Sequence, residues 1–85
     1  MADVVVVTSP ACHLCEDALV ALGAFADEYP LVIREVDITS PEGLRLFEEH
    51  RPPMAPIVIV DGEFFSWGRL PRKKLRRLLE RERVA

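Results

Sequence analysis

Four consecutive valines, Val4, Val5, Val6 and Val7, constrain the fold more than any other stretch of this 85-residue chain. Successive side chains of a strand point to opposite faces, so valine at every position describes a strand buried on both sides. Such a strand needs a sheet with helices packed on both faces. The strand is expected over residues 3–8, and Ser9-Pro10-Ala11 then forms a loop. From Cys12 to about residue 27 the apolar spacing becomes helical, with Leu14, Ala18, Leu22 and Phe25 as the stripe and Leu19 and Ala21 beside it. Gly23 interrupts this pattern, and close packing would account for it. Tyr29-Pro30 ends the helix.

The remaining elements follow the same logic. Residues 31–37 alternate imperfectly and read as a second strand. Strand, helix, strand in this length predicts a right-handed crossover and parallel pairing. Ser40-Pro41-Glu42 is a helix start: a capping serine, proline at the first position and an acid in the first turn. That helix runs to about His50, with Leu44 and Phe47 as its inward residues. Three prolines in Pro52-Pro53-Met54-Ala55-Pro56 exclude both a helix and a central strand. Residues 57–60 form a third strand, Asp61-Gly62 a hairpin turn, and residues 63–67 a fourth strand that sends Phe64 and Phe65 to opposite faces. After Gly68, Pro71 opens a third helix with the stripe Leu75, Leu78 and Leu79. The expectation is one α/β domain, ordered βαβαββα, with a four-stranded mixed sheet and three helices distributed over both faces.

The only two cysteines, Cys12 and Cys15, stand at the first strand–helix junction. Positions three apart on a helix share a face, so the two sulfurs can meet. A helix N-terminus offers unpaired N–H groups and a positive dipole end, both of which favour a thiolate. The thiolate is the attacking species. Lowering a cysteine pKa from about 8.5 to about 6 raises the thiolate at pH 7 from a few per cent to about nine-tenths, which is roughly 3.4 kcal/mol of differential stabilisation. An exposed helix end supplies only ~0.3–1 kcal/mol of this. Hydrogen bonds or a cation must supply the rest, and His13 is the candidate cation. Glu16 and Asp17 oppose the shift and lie nearer Cys15. Cys12 is therefore read as the attacking thiol, Cys15 as the resolving thiol, and His13 as a residue that tunes the thiolate.

Two cysteines are too few for a secreted disulfide scaffold. Met1-Ala2-Asp3 lacks the basic start of a signal peptide, and no apolar run reaches the ~20 residues of a membrane span. A cytoplasmic location without membrane association is expected. There a cysteine pair is catalytic, redox-sensing or metal-binding rather than structural. The net charge of −3 conceals an asymmetry: residues 69–85 carry eight Arg/Lys against two Glu, and residues 1–68 carry three Arg against twelve Asp/Glu. Basic segments can bind nucleic acid, but no aromatics interleave these cations. They are read as a solvated helix face, and His50 as a cation near a helix C-terminus. No nucleic-acid partner is expected.

In element order and motif placement the whole chain resembles the glutaredoxin-like branch of the thioredoxin fold. The matching pieces are residues 4–8 and Pro10 before Cys12-His13-Leu14-Cys15, then Met54-Ala55-Pro56 leading residues 57–60, with Asp61-Gly62 and Trp67-Gly68 after them. Cys-His-Leu-Cys is itself similar to the motif of a small bacterial glutaredoxin-like group. The resemblance implies that the Ala55–Pro56 bond is cis and lies beside the cysteines. It implies that Ala55 offers its N–H and C=O to an extended substrate segment, with Met54, Pro10, Trp67 and Gly68 completing the substrate site. It further implies no bound cofactor or metal, glutathione or a thioredoxin reductase as electron donor, a disulfide-bearing protein or small thiol as partner, and a monomer. Two positions depart from the family's glutathione-binding pattern. Ser9 stands where a cation is expected, and Arg69 where a small polar or acidic residue follows the glycine. Arg51 and Arg69 are the candidate replacements for anion binding.

Three function classes follow. The first is a dithiol–disulfide oxidoreductase that reduces protein or glutathione mixed disulfides. The second is a metal or iron–sulfur carrier, with His13, His50 or a second subunit completing the ligand set. The third is a redox-inert interaction scaffold that uses the basic helix.

Overall fold

The computed structural model describes residues 1–84. Its elements are β1 (Ala2–Thr8), α1 (His13–Glu28), β2 (Leu31–Asp37), α2 (Pro41–His50), β3 (Ile57–Val60), β4 (Glu63–Trp67) and α3 (Arg72–Val84). The four strands form one sheet in the order β2-β1-β3-β4. β1 and β2 are parallel, from Ala2 opposite Leu31 to Thr8 opposite Asp37. β3 runs antiparallel to β1, with Val4 opposite Val60 and Val7 opposite Ile57, and β4 returns antiparallel to β3.

The valine run works as its composition requires. Val4 and Val6 join Val58 and Val60 on one face, packed against Ala18, Leu22 and Phe25 of α1 and Leu75 and Leu79 of α3. Val7 joins Val36, Ile57 and Ile59 on the other face, against Leu46 of α2, with Val5 packed beside them. Strand alternation thus sends one run of sequence into two separate apolar layers. Burying a valine side chain contributes roughly 1.5–3 kcal/mol, so β1 and the fully buried β3 beside it are both large local contributions to the core. Asp61 and Gly62 both take positive φ, 50° and 82°, as a two-residue hairpin demands. Asp61 also ties the turn to β1: its N–H donates to the Asp3 carbonyl at 2.8 Å, and its carboxylate accepts the Asp3 N–H at 2.9 Å. No helix among the described residues is long and apolar enough to cross a membrane.

Three local expectations are corrected. Gly23 faces open space, with nothing within 4 Å of where its Cβ would lie, so close packing does not explain it. The close approach is at Gly43 instead. A Cβ there would overlap the Asp37 carbonyl oxygen and come within 2.9 Å of the Ile38 Cα. That contact sets the rotation of α2, whose start is capped by the Ser40 hydroxyl accepting the Gly43 N–H at 3.0 Å. With Gly43 pressed on the sheet, Leu46 one turn later faces inward and is buried. Leu44, expected to face inward, lies about 100° round the helix and is 52% exposed. Pro71, finally, caps α3 rather than starting it: its carbonyl accepts the Leu75 N–H at 3.0 Å, and the helix begins at Arg72.

The two glycines therefore predict opposite responses. Gly23→Ala removes backbone freedom from the unfolded chain without a clash and is expected to stabilise by about 0.5–1 kcal/mol. Gly43→Ala forces a backbone shift and is expected to destabilise by about 1–3 kcal/mol. Urea unfolding of the two variants checks this, and a stable Gly43→Ala protein contradicts the packing described.

Candidate active site

The topology sends several chain segments to one end of the sheet. β1 ends there at Thr8, and the antiparallel β3 begins there at Ile57, opposite Val7. β4 ends there at Trp67, opposite Ile57. The loop that carries Cys12, the segment Met54-Ala55-Pro56 and the exit Trp67-Gly68 are thus delivered to the same edge by strand direction alone.

The first of these segments turns sharply. Ala11 adopts φ 50°, a left-handed conformation that costs a residue with a Cβ about 1–2 kcal/mol. Cys12 follows in extended conformation as the N-cap of α1. Its Sγ accepts the Cys15 backbone N–H at 3.1 Å, and its carbonyl accepts the Glu16 N–H at 3.1 Å. The sulfur thus occupies the place that a serine or aspartate oxygen takes in an ordinary helix cap. It meets one of the unpaired amides at the positive end of α1. Cys12 and Cys15 are joined as a disulfide. The two sulfurs differ in access: Cys12 is half-buried, whereas Cys15 is 3% exposed. An incoming group reaches Cys12 and not Cys15.

His13 is the first residue of α1 and is exposed. Its side chain makes no hydrogen bond or ion pair with any described residue. It is near the sulfurs in sequence, but the structure gives it no fixed place against them. Pro10 is exposed in the turn before Cys12.

The second wall joins the other two segments. The Ala55–Pro56 peptide bond is cis and Pro56 is fully buried. The Gly68 N–H donates to the Pro56 carbonyl at 2.9 Å. Gly68 has φ 71°, a conformation that suits glycine, and the Met54 Sδ lies at van der Waals distance, 3.7 Å from where its Cβ would be. Met54 and Trp67 remain 47% and 46% exposed. They are large apolar side chains left open at this edge. Ala55 between them is partly buried. Met54, Ala55, Pro56, Trp67 and Gly68 are thus one assembled wall.

The acid beside the cysteines is compensated in a way the sequence did not disclose. Asp17 Oδ1 accepts a hydrogen bond from Arg72 at 2.9 Å, and its Oδ2 faces the Arg69 guanidinium at 4.0 Å. The Arg72 hydrogen bond is the main cause holding the Asp17 carboxyl below the usual carboxylate range. Asp17 thus presents little net negative charge toward the thiol pair. The bridge also fixes the N-terminal part of α1 to the start of α3. Arg69 is engaged here and 70% exposed at its side chain. Arg51 is exposed and serves as the left-handed C-cap of α2, its N–H donating to the Phe47 carbonyl at 2.8 Å. His50 lies against Phe64, ring centroids 5.1 Å apart. Among the described residues no group of three or more His, Cys, Asp or Glu side chains is placed to hold a metal ion.

A four-stranded mixed sheet, two helices on one face and one on the other, with a Cys-x-x-Cys disulfide at the N-terminus of α1, defines the thioredoxin-like class of α/β protein. Within it, the chain belongs to the family of the glutaredoxin-like domain (DUF836), whose model matches residues 3–80. Solved structures agree on the fold. An uncharacterised thioredoxin-like protein from Clostridium perfringens superposes with a TM-score of 0.74 at 11% identity, over 95% of this chain and 70% of that one. A protein of unknown function from Staphylococcus aureus gives 0.73 at 19% identity, over 98% and 92%. Mitochondrial thioredoxin 3 from Saccharomyces cerevisiae, in its oxidised form, gives 0.67 at 18% identity, over 94% and 77%. No curated protein matches the chain.

The Asp17 bridge predicts an acid response. A depressed carboxyl pKa contributes stability that is present above the unfolded value and lost as pH falls through the folded one. Between pH 6 and pH 3 the urea midpoint of the wild type is therefore expected to fall more than that of Asp17→Asn. Equal falls in the two proteins contradict a working ion pair.

Proposed function

We propose that this chain is a dithiol–disulfide oxidoreductase in which Cys12 attacks and Cys15 resolves. The observation that carries the reading is the unequal pair: a reachable Cys12 sulfur held by a helix-start amide, joined to a buried Cys15 one turn on. In the reduced protein, the Cys12 thiolate attacks one sulfur of a substrate disulfide. A Cys12–substrate disulfide forms and the other substrate sulfur leaves as a thiolate. Cys15, deprotonated, then attacks the Cys12 Sγ, and the second substrate sulfur leaves. Two electrons pass to the substrate, its two thiolates take up protons, and the Cys12–Cys15 disulfide remains. The helix amides stabilise the Cys12 thiolate both as attacking and as leaving group, which speeds exchange in either direction.

The wall opposite the cysteines fits an extended substrate. Met54 and Trp67 offer apolar surface, and Ala55 offers backbone groups to which a substrate strand can pair. The substrates are protein disulfides or glutathione mixed disulfides, and glutathione or a flavin-dependent thioredoxin reductase returns the pair to the dithiol in a reducing, cytoplasmic setting.

The test is reduction of a small mixed disulfide of glutathione by the protein, in a glutathione-recycling system and separately with thioredoxin reductase. The wild type is expected to turn over in at least one, and Cys12→Ser to fall to background in both. Failure of the fully reduced wild type to reduce any disulfide offered, including a simple aromatic disulfide, overturns the reading.

A further inference from the structure

Among the described side chains, the cations of helix α3 fall into two sets. Arg72, Lys74 and Arg76 are engaged within the fold. Arg72 holds Asp17; Lys74 donates to the Phe65 carbonyl at 3.2 Å and lies 4.8 Å over the Phe65 ring. Arg76 pairs with Glu28 at 3.1 Å and covers the Phe25 ring at 5.0 Å. Lys73, Arg77 and Arg81 form the second set. All three are exposed, and none has a carboxylate within ion-pair distance among the described residues. Their spacing of four places them in one row, about 6 Å apart along the helix. Of the two carboxylates that flank Arg81 in sequence, Glu80 accepts from the Tyr29 hydroxyl at 2.5 Å. Glu82 lies on the other side of the helix, beside Met1 and Ala2. A surface depression is lined by Lys73, Arg76, Arg77, Glu80 and Arg81.

The row has a fixed relation to the cysteines. Because Arg72 is bonded to Asp17, the first turn of α3 is held to the N-terminal part of α1, two residues from Cys15. Arg69, next to the Gly68 wall, lies at the same corner. The cations therefore start beside the redox edge and lead away from it along α3. A solvated face would need no such alignment, and the chain before residue 69 is strongly acidic, so the basic charge is concentrated on this helix.

We infer that the Lys73–Arg77–Arg81 row docks an acidic segment of the substrate protein, adjacent in that substrate to the disulfide presented to Cys12. This rests on the oxidoreductase reading and specifies its substrate class. The row supplies no thiol to the exchange, so its effect is on encounter and docking.

The experiment uses the full chain and three synthetic peptides that share one disulfide-bonded core, flanked on one side by a run of Asp/Glu, of Ser/Gly or of Lys. The reduced protein, in excess, donates two electrons to the peptide disulfide and is itself oxidised to Cys12–Cys15. At low ionic strength the acidic peptide is expected to react on the order of 10-fold faster than the neutral one, and the advantage to vanish at 0.5 M salt. The triple variant Lys73→Gln, Arg77→Gln, Arg81→Gln is expected to lose the preference while reducing the neutral peptide at the wild-type rate. A charge-reversed variant, K73E with R77E and R81E, is expected to favour the Lys-flanked peptide. Equal rates for acidic and neutral peptides, or a preference untouched by the triple variant, overturn the proposal. Fluorescence anisotropy with a cysteine-free acidic peptide separates docking from chemistry. Binding that needs the row, with no peptide reduced, upholds the docking surface and defeats the oxidoreductase reading. Tighter row-dependent binding of a single-stranded oligonucleotide than of the acidic peptide also overturns it.

Discussion

The hydrogen bond from the Cys15 amide to the Cys12 sulfur depends on where α1 begins, and much of the structure serves to fix that point. β1 must end at Thr8, the chain must turn left-handed at Ala11, and Cys12 must stay extended so that the helix starts at His13. Each requirement has its own support. The valine strand is held between β2 and β3 and buried from both sides. The Thr8 hydroxyl donates to Glu35 on β2 at 2.9 Å, and the Thr8 carbonyl accepts the Ile38 N–H at 2.8 Å, which anchors the strand's last residue. Phe25 and Leu22 bind the body of α1 to the core, and Asp17 binds its N-terminal part to α3. A cysteine at a helix cap is chemically useful only if the cap does not fray, and these contacts keep it from fraying.

The same arrangement explains why two identical residue types differ in access. The cap position leaves Cys12 beyond the end of the helix, where its sulfur is reachable. One turn on, Cys15 falls on the inward face with Ala18 and Leu22. No difference in side-chain chemistry is needed; three residues of helix suffice. The opposing wall follows from strand direction. An antiparallel pair, β3 and β4, inserted beside β1 returns the segment before Ile57 and the segment after Trp67 to the end where Cys12 leaves the sheet.

Much of this was legible in the residues. The valines, the Ser40-Pro41 start, the Asp61-Gly62 turn and the change of period after Cys12 are local patterns, and each fixes an element with little help from the rest of the chain. The element order and the strand–helix–strand crossover followed from them. What was not legible depends on distances the sequence does not carry. Asp17 and Arg72 lie 55 positions apart and meet only because α1 and α3 share one face of the sheet. Reading Asp17 as a free negative charge beside the thiols was therefore incomplete. Leu44 and Leu46 are both plausible inward residues on a ten-residue helix, and the choice rests on how closely Gly43 approaches the Asp37 carbonyl. The division of α3 into engaged and outward cations likewise needed the packing of Phe25, Tyr29 and Phe65 beneath it.

The central claim is the unequal division of labour between Cys12 and Cys15, and a trapping measurement tests it most directly. Reduced Cys15→Ser and Cys12→Ser proteins are each mixed with a disulfide substrate, quenched with acid and weighed intact by mass spectrometry. The account predicts that Cys15→Ser accumulates a covalent protein–substrate disulfide through Cys12, because nothing remains to resolve it, while Cys12→Ser forms almost none because Cys15 is buried. Equal adduct on both variants, or adduct only through Cys15, contradicts the account.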